Sequence, residues 1–207
     1  ISYGKKTETP FKEIPQWIMN GSKMVKREFL SGFQGGDGSK IRYDDCKNWK
    51  GYKLPPTSKD ICIKYVDSLE YFMNQIKNLF EEFSINMLNI KKKKRSDNRF
   101  TIKLSVSSKQ ENLIKYFETI GYRYDVLKLR ESGVIVEYLK HKELYKDDKM
   151  DIKKWKDIVE IKGSCIFIPI ESVKEVENRM ISDITTESEN HSFIAGDSHI
   201  LSSNSAM

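Results

Sequence analysis

Leu30-Ser31-Gly32-Phe33-Gln34-Gly35-Gly36-Asp37-Gly38 is the stretch on which the reading of this 207-residue chain turns. Upstream of it, Met24 to Phe33 reads as a helix, with Phe29, Leu30 and Phe33 among its apolar residues. Gln34 to Gly38 then read as a glycine-rich turn that closes the helix and presents Asp37 at its exit. Taken alone, these nine residues fit two descriptions. One is a helix C-cap carrying a solvent-facing aspartate. The other is a close helix contact through Gly32 beside a functional carboxylate.

Outward from this stretch, residues 1–22 are polar, broken by Pro10, Pro15 and Gly21, and read as an entry linker carrying Trp17. Residues 39–43 and 60–66 read as strands, separated by a loop with Pro55-Pro56. Residues 68–83 set Leu69, Phe72, Met73, Ile76, Phe80 and Phe83 at helical spacing. Residues 85–90 and 100–106 are strand candidates that flank Lys91-Lys92-Lys93-Lys94-Arg95, so this basic run is expected in a hairpin loop. Residues 109–120 form another helix, stopped by Gly121. The expected order is helix, strand, strand, helix, strand, strand, helix. Residues 133–138 read as strand-like, 140–157 as a charged helical or loop stretch, and 158–161, 164–170, 181–186, 192–195 and 200–201 as short strands. The fold class expected is α+β, and no internal repeat is visible.

The nine residues, with the αββαββα order that follows them, resemble the LAGLIDADG motif and unit of DOD-type homing endonucleases. The resemblance implies a domain over residues 23–140 whose four strands form a saddle on the major groove of double-stranded DNA. It implies that Asp37 is a carboxylate ligand for Mg²⁺, which a phosphodiester cut needs to activate water and neutralise developing charge. It also places Arg42, Lys47, Lys50, Lys53, Lys64, Lys91, Lys92, Lys93, Lys94, Arg95, Arg99 and Lys103 on or near the DNA surface, as phosphate contacts. Such endonucleases cut as a pair of units, and only one motif is present. Cleavage would need a homodimer or a partner carrying the other unit.

Charge points the same way. The net charge is +6, but no Lys or Arg follows Arg179, and Asp183, Glu187, Glu189 and Asp197 leave the tail at −4, so residues 1–180 carry +10. A basic body fits a polyanionic partner, or a surface merely solvated by lysines. No stretch approaches the roughly 20 apolar residues of a membrane span, and no membrane partner is expected. Cys46, Cys62 and Cys165 are widely spaced and odd in number, which fits free thiols in a reducing, intracellular compartment, cytoplasmic or nuclear with a host protein. The first residue is Ile1, so the chain is expected to be a piece that begins inside a longer reading frame, or one whose start was removed.

The tail holds a second constellation: Asp183-Ile184-Thr185-Thr186, His191-Ser192-Phe193-Ile194-Ala195-Gly196, and Asn204-Ser205. Their order and spacing resemble the C-terminal splicing blocks of inteins, which share the Hint fold. The resemblance implies the C-terminal part of a Hint splicing domain over residues 141–204, ending in all-β strands, with residues 205–207 beginning the C-extein. In such a segment the Asn204 amide attacks its own carbonyl, forms a succinimide and releases the amine of Ser205. His191 would be the acid/base residue and Asp183 would tune the junction. Ser205 would accept the N-extein as an ester. No cofactor is needed for this step. The residue before the terminal Asn is usually His, whereas this chain has Ser203, with His199 five residues upstream of Asn204. Ser205-Ala206-Met207 is similar to part of a Gln-Ser-Ala-Met-Gly-Lys-Gln stretch in the second-largest RNA polymerase subunit.

Neither an N-terminal nucleophile nor a Thr-x-x-His block occurs near Ile1. The resemblance therefore implies a C-terminal fragment of a split or cleaved intein, whose partners are an N-terminal fragment and a C-extein host. Two further readings stay open. One is a DNA endonuclease or DNA-binding remnant with a vestigial tail, and the other is a basic binding module without chemistry.

Overall fold

The computed structural model describes residues 10, 13–47, 49–145, 151–162, 165–167, 170, 172, 174–175, 192–195 and 200–203. The chain divides into two compact units, Ile1–Pro169 and Ile170–Met207.

The first unit is built on α2 (Lys23–Asp37), which follows a single-turn α1 (Gln16–Met19). Ser22 starts α2 by accepting the Val25 amide at 3.4 Å, and Leu30, Ser31 and Gln34 form its buried stripe. The helix runs farther than expected. Gly35 and Gly36 stay inside the last turn, Asp37 is its final residue, and Gly38 leaves in an extended conformation at φ −78°. The glycine-rich stretch is thus helix rather than turn. Its Gly38 amide still reaches back to the Gln34 carbonyl at 3.0 Å, so the final backbone donor is satisfied.

Two antiparallel sheets follow. β1 (Arg42–Cys46) and β2 (Trp49–Lys53) form a hairpin, and β2 was not expected. Its anchor is Tyr52, buried between Tyr43 and Tyr138 with edge-to-face ring contacts at 5.2 and 6.1 Å. β3 (Thr57–Cys62), β4 (Lys91–Lys94) and β5 (Arg99–Leu104) make a three-stranded sheet in the order β3-β5-β4. The strands therefore form two separate sheets, and β3 ends at Cys62, before a 3-10 turn over Ile63–Tyr65. Of residues 85–90, only Met87 bridges across, to Val106.

The basic run is the clearest departure from expectation. Lys91 to Lys94 are β4 itself, at the sheet's edge, while the hairpin tip falls at residues 95–98 with Asn98 left-handed at φ +59°. Lysines are what an unpaired edge tolerates, because they keep it in water and discourage another strand from adding on.

α3 (Val66–Glu82) buries Leu69, Phe72, Met73, Ile76, Leu79 and Phe80 at helical spacing. These share one core with Ile61, Ile102 and Leu104 of the sheet and Leu30 of α2. α4 (Gln110–Thr119) stops at Gly121, whose φ of +58° and 2.9 Å approach to the Phe117 carbonyl leave no room for a Cβ. Residues 133–138 are not a strand. They lie inside α5 (Val126–Tyr145), which Asp125 opens by accepting the Lys128 amide at 3.0 Å. The run Val134-Ile135-Val136 favours a strand locally. Burial of Val134, Ile135, Tyr138 and Leu139 in the shared core overrides that preference.

α6 (Ile152–Ile158) inserts Trp155, whose indole donates to the Val134 carbonyl at 3.0 Å. A short hairpin of β6 (Glu160–Lys162) and β7 (Cys165–Phe167) closes this unit. Of the second unit the structure describes one antiparallel hairpin, β8 (Ser192–Ala195) and β9 (Ile200–Ser203). The strand expected at 181–186 lies outside the described residues. Among the described residues, no helix is long and apolar enough to cross a membrane.

Trp155 is 2% exposed and satisfies a carbonyl in the middle of α5. Trp155→Ala is expected to cost about 3–5 kcal/mol, read as a lower urea midpoint. An unchanged midpoint would show that α6 contributes nothing to the core.

Candidate nucleic-acid interface

Asp37 sits at the last position of α2, and its immediate partner is Lys59 of β3, with Nζ 2.8 Å from Oδ2. Both side chains remain partly exposed, so this is a surface pair worth about 0–1 kcal/mol. A second lysine supports the backbone beneath it. The Lys128 amine donates to the carbonyls of Gly35 and Gly38 and lies 3.3 Å from Asp125. A cation on the last carbonyls of a helix opposes the negative end of its dipole. The Lys128 amide and amine together hold the Asp125 carboxyl below the usual carboxylate range.

The α4–α5 corner also grips α2. Ser31 Oγ accepts the Arg123 amide at 2.9 Å and donates to the Gly121 carbonyl at 3.4 Å. The Tyr122 hydroxyl donates to the Ser39 carbonyl at 2.6 Å. The end of α2 is thus fixed by contacts that bracket Asp37.

The close helix approach expected at Gly32 is not made among the described residues. A Cβ there would meet only Tyr124, at 3.8 Å, and one at Gly36 would meet nothing within 4 Å. That face of α2 carries no bulk, and Tyr124, Val126 and Leu127 stand exposed in the corner that follows α4.

Mg²⁺ prefers six oxygens in an octahedron, mostly water and phosphate with one or two carboxylates. Asp37 supplies one carboxylate, and among the described residues no group of three metal-ligating side chains occurs. The described residues thus offer a single carboxylate there, held by Lys59.

The register of the three-stranded sheet decides which cations share a face. Thr101 stands opposite Asp60 of β3 and Lys93 of β4, while Lys103 stands opposite Ser58 and Lys91. Thr57, Ile61, Ile102 and Leu104 are buried, so Ser58, Asp60, Lys91, Lys93, Thr101 and Lys103 line the other, open face. Lys92 belongs to the helix side, 2.6 Å from Glu70 of α3.

The sequence-predicted cations divide into two groups. Several are held by acids. Arg95 lies 2.6 Å from Asp60, Asp97 lies 3.5 and 3.8 Å from Arg95 and Arg99, and Arg42 lies 3.3 Å from Asp44. Asp44 also accepts the Lys53 amine, which keeps its carboxyl below the usual range. Lys64 lies over the Tyr65 ring at 5.3 Å. Lys91, Lys93, Lys94 and Lys103 have no carboxylate in ion-pair range among the described residues. Lys47 is an exposed turn residue and Lys50 belongs to β2.

Sequence reasoning missed Lys59, Asp60, Thr101 and Lys128. Strand alternation shared with buried Ile61 was the available signal for Lys59. Lys128 had none while residues 126–132 stood outside any expected helix.

The splicing candidates Asp183, His191, His199, Asn204 and Ser205 lie outside the described residues. Ser203 ends β9, where it pairs with Ser192 of β8. These two serines adjoin Asn204 and His191 in sequence.

No family model matches the chain. It is 35% identical over 147 residues to the replication factor C small subunit of Methanocaldococcus jannaschii, covering 71% of this chain and 8% of that protein. It is 31% identical over 178 residues to the tRNA-splicing ligase RtcB of Methanopyrus kandleri, covering 85% and 17%. It is 31% identical over 206 residues to the DNA-directed RNA polymerase subunit Rpo1N of M. jannaschii, covering 93% and 15%. The chain thus spans less than a fifth of each of these relatives. Among solved structures, the homing endonuclease I-CvuI, crystallised with a DNA target and Mg, aligns at TM-score 0.36 and 16% identity, over 60% of this chain and 72% of that one.

Removing the Lys128 amine frees two carbonyls at the end of α2. Lys128→Met is expected to speed amide hydrogen exchange over residues 35–39 while leaving α3 unchanged. Equal protection in both proteins would mean that the glycines hold the helix end without it.

Proposed function

We propose that this chain is the C-terminal part of a protein-splicing element, an intein, that carries a LAGLIDADG DNA-binding unit. The observation that supports it most directly is the distribution of its relatives. One segment of 147–206 residues recurs in proteins named for replication, RNA ligation and transcription, and fills only 8–17% of each. A segment shared by hosts with unrelated work behaves as an insertion. An insertion must leave the host polypeptide without destroying it, and DNA cutting gives it a way to spread.

For the first task the chemistry falls to Asn204, with Ser205 as the acceptor hydroxyl and His191 as proton donor. Asp183 is assigned to tune the junction, and Ser203 and His199 flank it. The Ser192–Ser203 pair supports this pairing of roles. Ser192 and Ser203 adjoin His191 and Asn204 in sequence, and the departing amine of Ser205 needs a proton donor. Held geometry is the main aid to such a slow intramolecular attack. The first acyl shift falls to an N-terminal fragment, and Ser205 begins the host segment.

For the second task, Asp37 would hold one edge of an Mg²⁺ centre, the ion supplying an activated water and a counter-charge to the phosphate. Lys59 and Lys128 hold that carboxylate and its helix end in position. A second unit, from a copy or from the N-terminal fragment, would complete the centre. The bare Gly32–Gly36 face of α2 supports such pairing, because small residues let two helices approach closely. The opening to DNA is the β3-β5-β4 face with Lys91, Lys93 and Lys103.

Two measurements test the two tasks. Mixed with a fragment bearing the missing first blocks, the chain is expected to lose residues 205–207 and end in a succinimide by intact mass. Asn204→Ala should abolish the loss. A mass that never changes across pH and thiol conditions sinks the splicing assignment. For DNA, Lys91→Ala with Lys103→Ala should flatten the dependence of log affinity on log salt by about two in slope. Mg²⁺-dependent cutting that persists in Asp37→Asn would remove Asp37 from the centre.

A further inference from the structure

We infer that Asp60 reads the cytosine of one G·C pair in the major groove, with Lys93 of the same cross-strand row on the guanine. This rests on the DNA-binding reading of the sheet.

A carboxylate on a face that receives a polyanion is repelled by every phosphate that approaches, so its presence there needs a reason. Anchoring Arg95 is the plain one, but Arg95 and Arg99 already have Asp97. Asp60 is also not used up. Its Oδ2 takes Arg95 and its Oδ1 takes the Thr101 hydroxyl, each at 2.6 Å. An ionised carboxylate offers about four acceptor sites, which leaves about two outward. The side chain is one-third exposed, at 34%, so those sites can be reached.

The row then sets the chemistry. Lys93, Thr101 and Asp60 stand on three adjacent strands, in register on the open face. Two strand spacings separate the outer Cα positions by about 10 Å. The row therefore offers an ammonium donor at one end and a fixed acceptor at the other.

In the major groove a G·C pair presents two acceptors, guanine N7 and O6, followed at the end of the pattern by the cytosine N4 amino donor. That order complements the row. An A·T pair also presents an amino donor, but adenine N7 and thymine O4 flank it on both sides, and both repel a carboxylate. The neighbouring row, Lys91 and Lys103 with Ser58, has no acid and is left to phosphates or guanine. Thr101 and Arg95 fix the orientation of Asp60 before DNA arrives, so no ordering of that side chain is needed on binding.

The test is selection of a randomised duplex library on the full chain, with sequencing of the retained DNA. The proteins compared are the wild type, Asp60→Ala, Asp60→Asn and Lys93→Ala, each checked for folding by circular dichroism. The wild type is expected to enrich a G·C pair at one position. Asp60→Ala should lower that enrichment by about five- to 150-fold. Lys93→Ala should lower it at the same position.

Asp60→Asn retains the shape should the alanine variant fail to fold. It should move the preference to A·T, since asparagine pairs with adenine N6 and N7. A purely structural anchor would not produce that switch. An unchanged G·C preference in both Asp60 variants overturns the inference and leaves DNA binding standing, as does a wild type that retains duplex without any base preference. A wild type that retains no duplex overturns the DNA-binding reading, and this inference with it.

Discussion

The corner between α4 and α5 is the constraint on which the site depends. Gly121 turns the chain where no Cβ fits, and Tyr122, Arg123 and Lys128 then grip α2 at Ser31 and Gly35 and its exit at Gly38 and Ser39. Each of these contacts spans roughly 83 to 93 residues of sequence. Local propensity would leave a Gly35-Gly36 helix end frayed, since glycine is the costliest ordinary residue in a helix after proline. Tertiary hydrogen bonds from a distant corner hold it instead, and Asp37 inherits its position from them.

A second principle runs through the surface. Asp44 in the β1-β2 hairpin, Asp60 in β3 and Asp97 at the β4-β5 tip hold the arginines, while among the described residues Lys91, Lys93, Lys94 and Lys103 have no carboxylate in ion-pair range. Arginine suits this arrangement because its planar fork can be gripped from one side and still donate from another. Lysines with unpartnered amines remain adaptable point charges. The surface is therefore divided into fixed directional donors and loose ionic ones.

Much of the fold was legible in the residues. α2, α3 and α4 follow from apolar spacing, and Gly121 marks its own stop. Three features were not legible, for identifiable reasons. Four consecutive lysines carry no hydrophobic alternation, so β4 is visible only through its pairing with β5. Val134-Ile135-Val136 favours a strand until the core claims one helical face. β2 is polar apart from its aromatic residues, and Tyr52 meets its ring partner far away in sequence, at Tyr138 of α5, which in turn lies against Trp155. The position of Asp37 at the exit of α2 was readable from the residues. Lys59 and Lys128 were not, because what matters about them is which backbone and carboxylate they reach, and that is a property of the fold.

The composition of β4 carries a consequence for life in a crowded solution. An outermost strand with open hydrogen-bonding groups is a template onto which another chain can add, and four like charges in a row make that addition repulsive. The same lysines lose this protective role once a polyanion neutralises them. If the proposed DNA partner binds there, the duplex must cover the edge it discharges, and a short or ill-fitting polyanion would instead leave a neutral strand exposed. On the proposed DNA-binding reading, protection of the edge and recognition are two states of one set of charges, and the passage between them is governed by what lies against the edge.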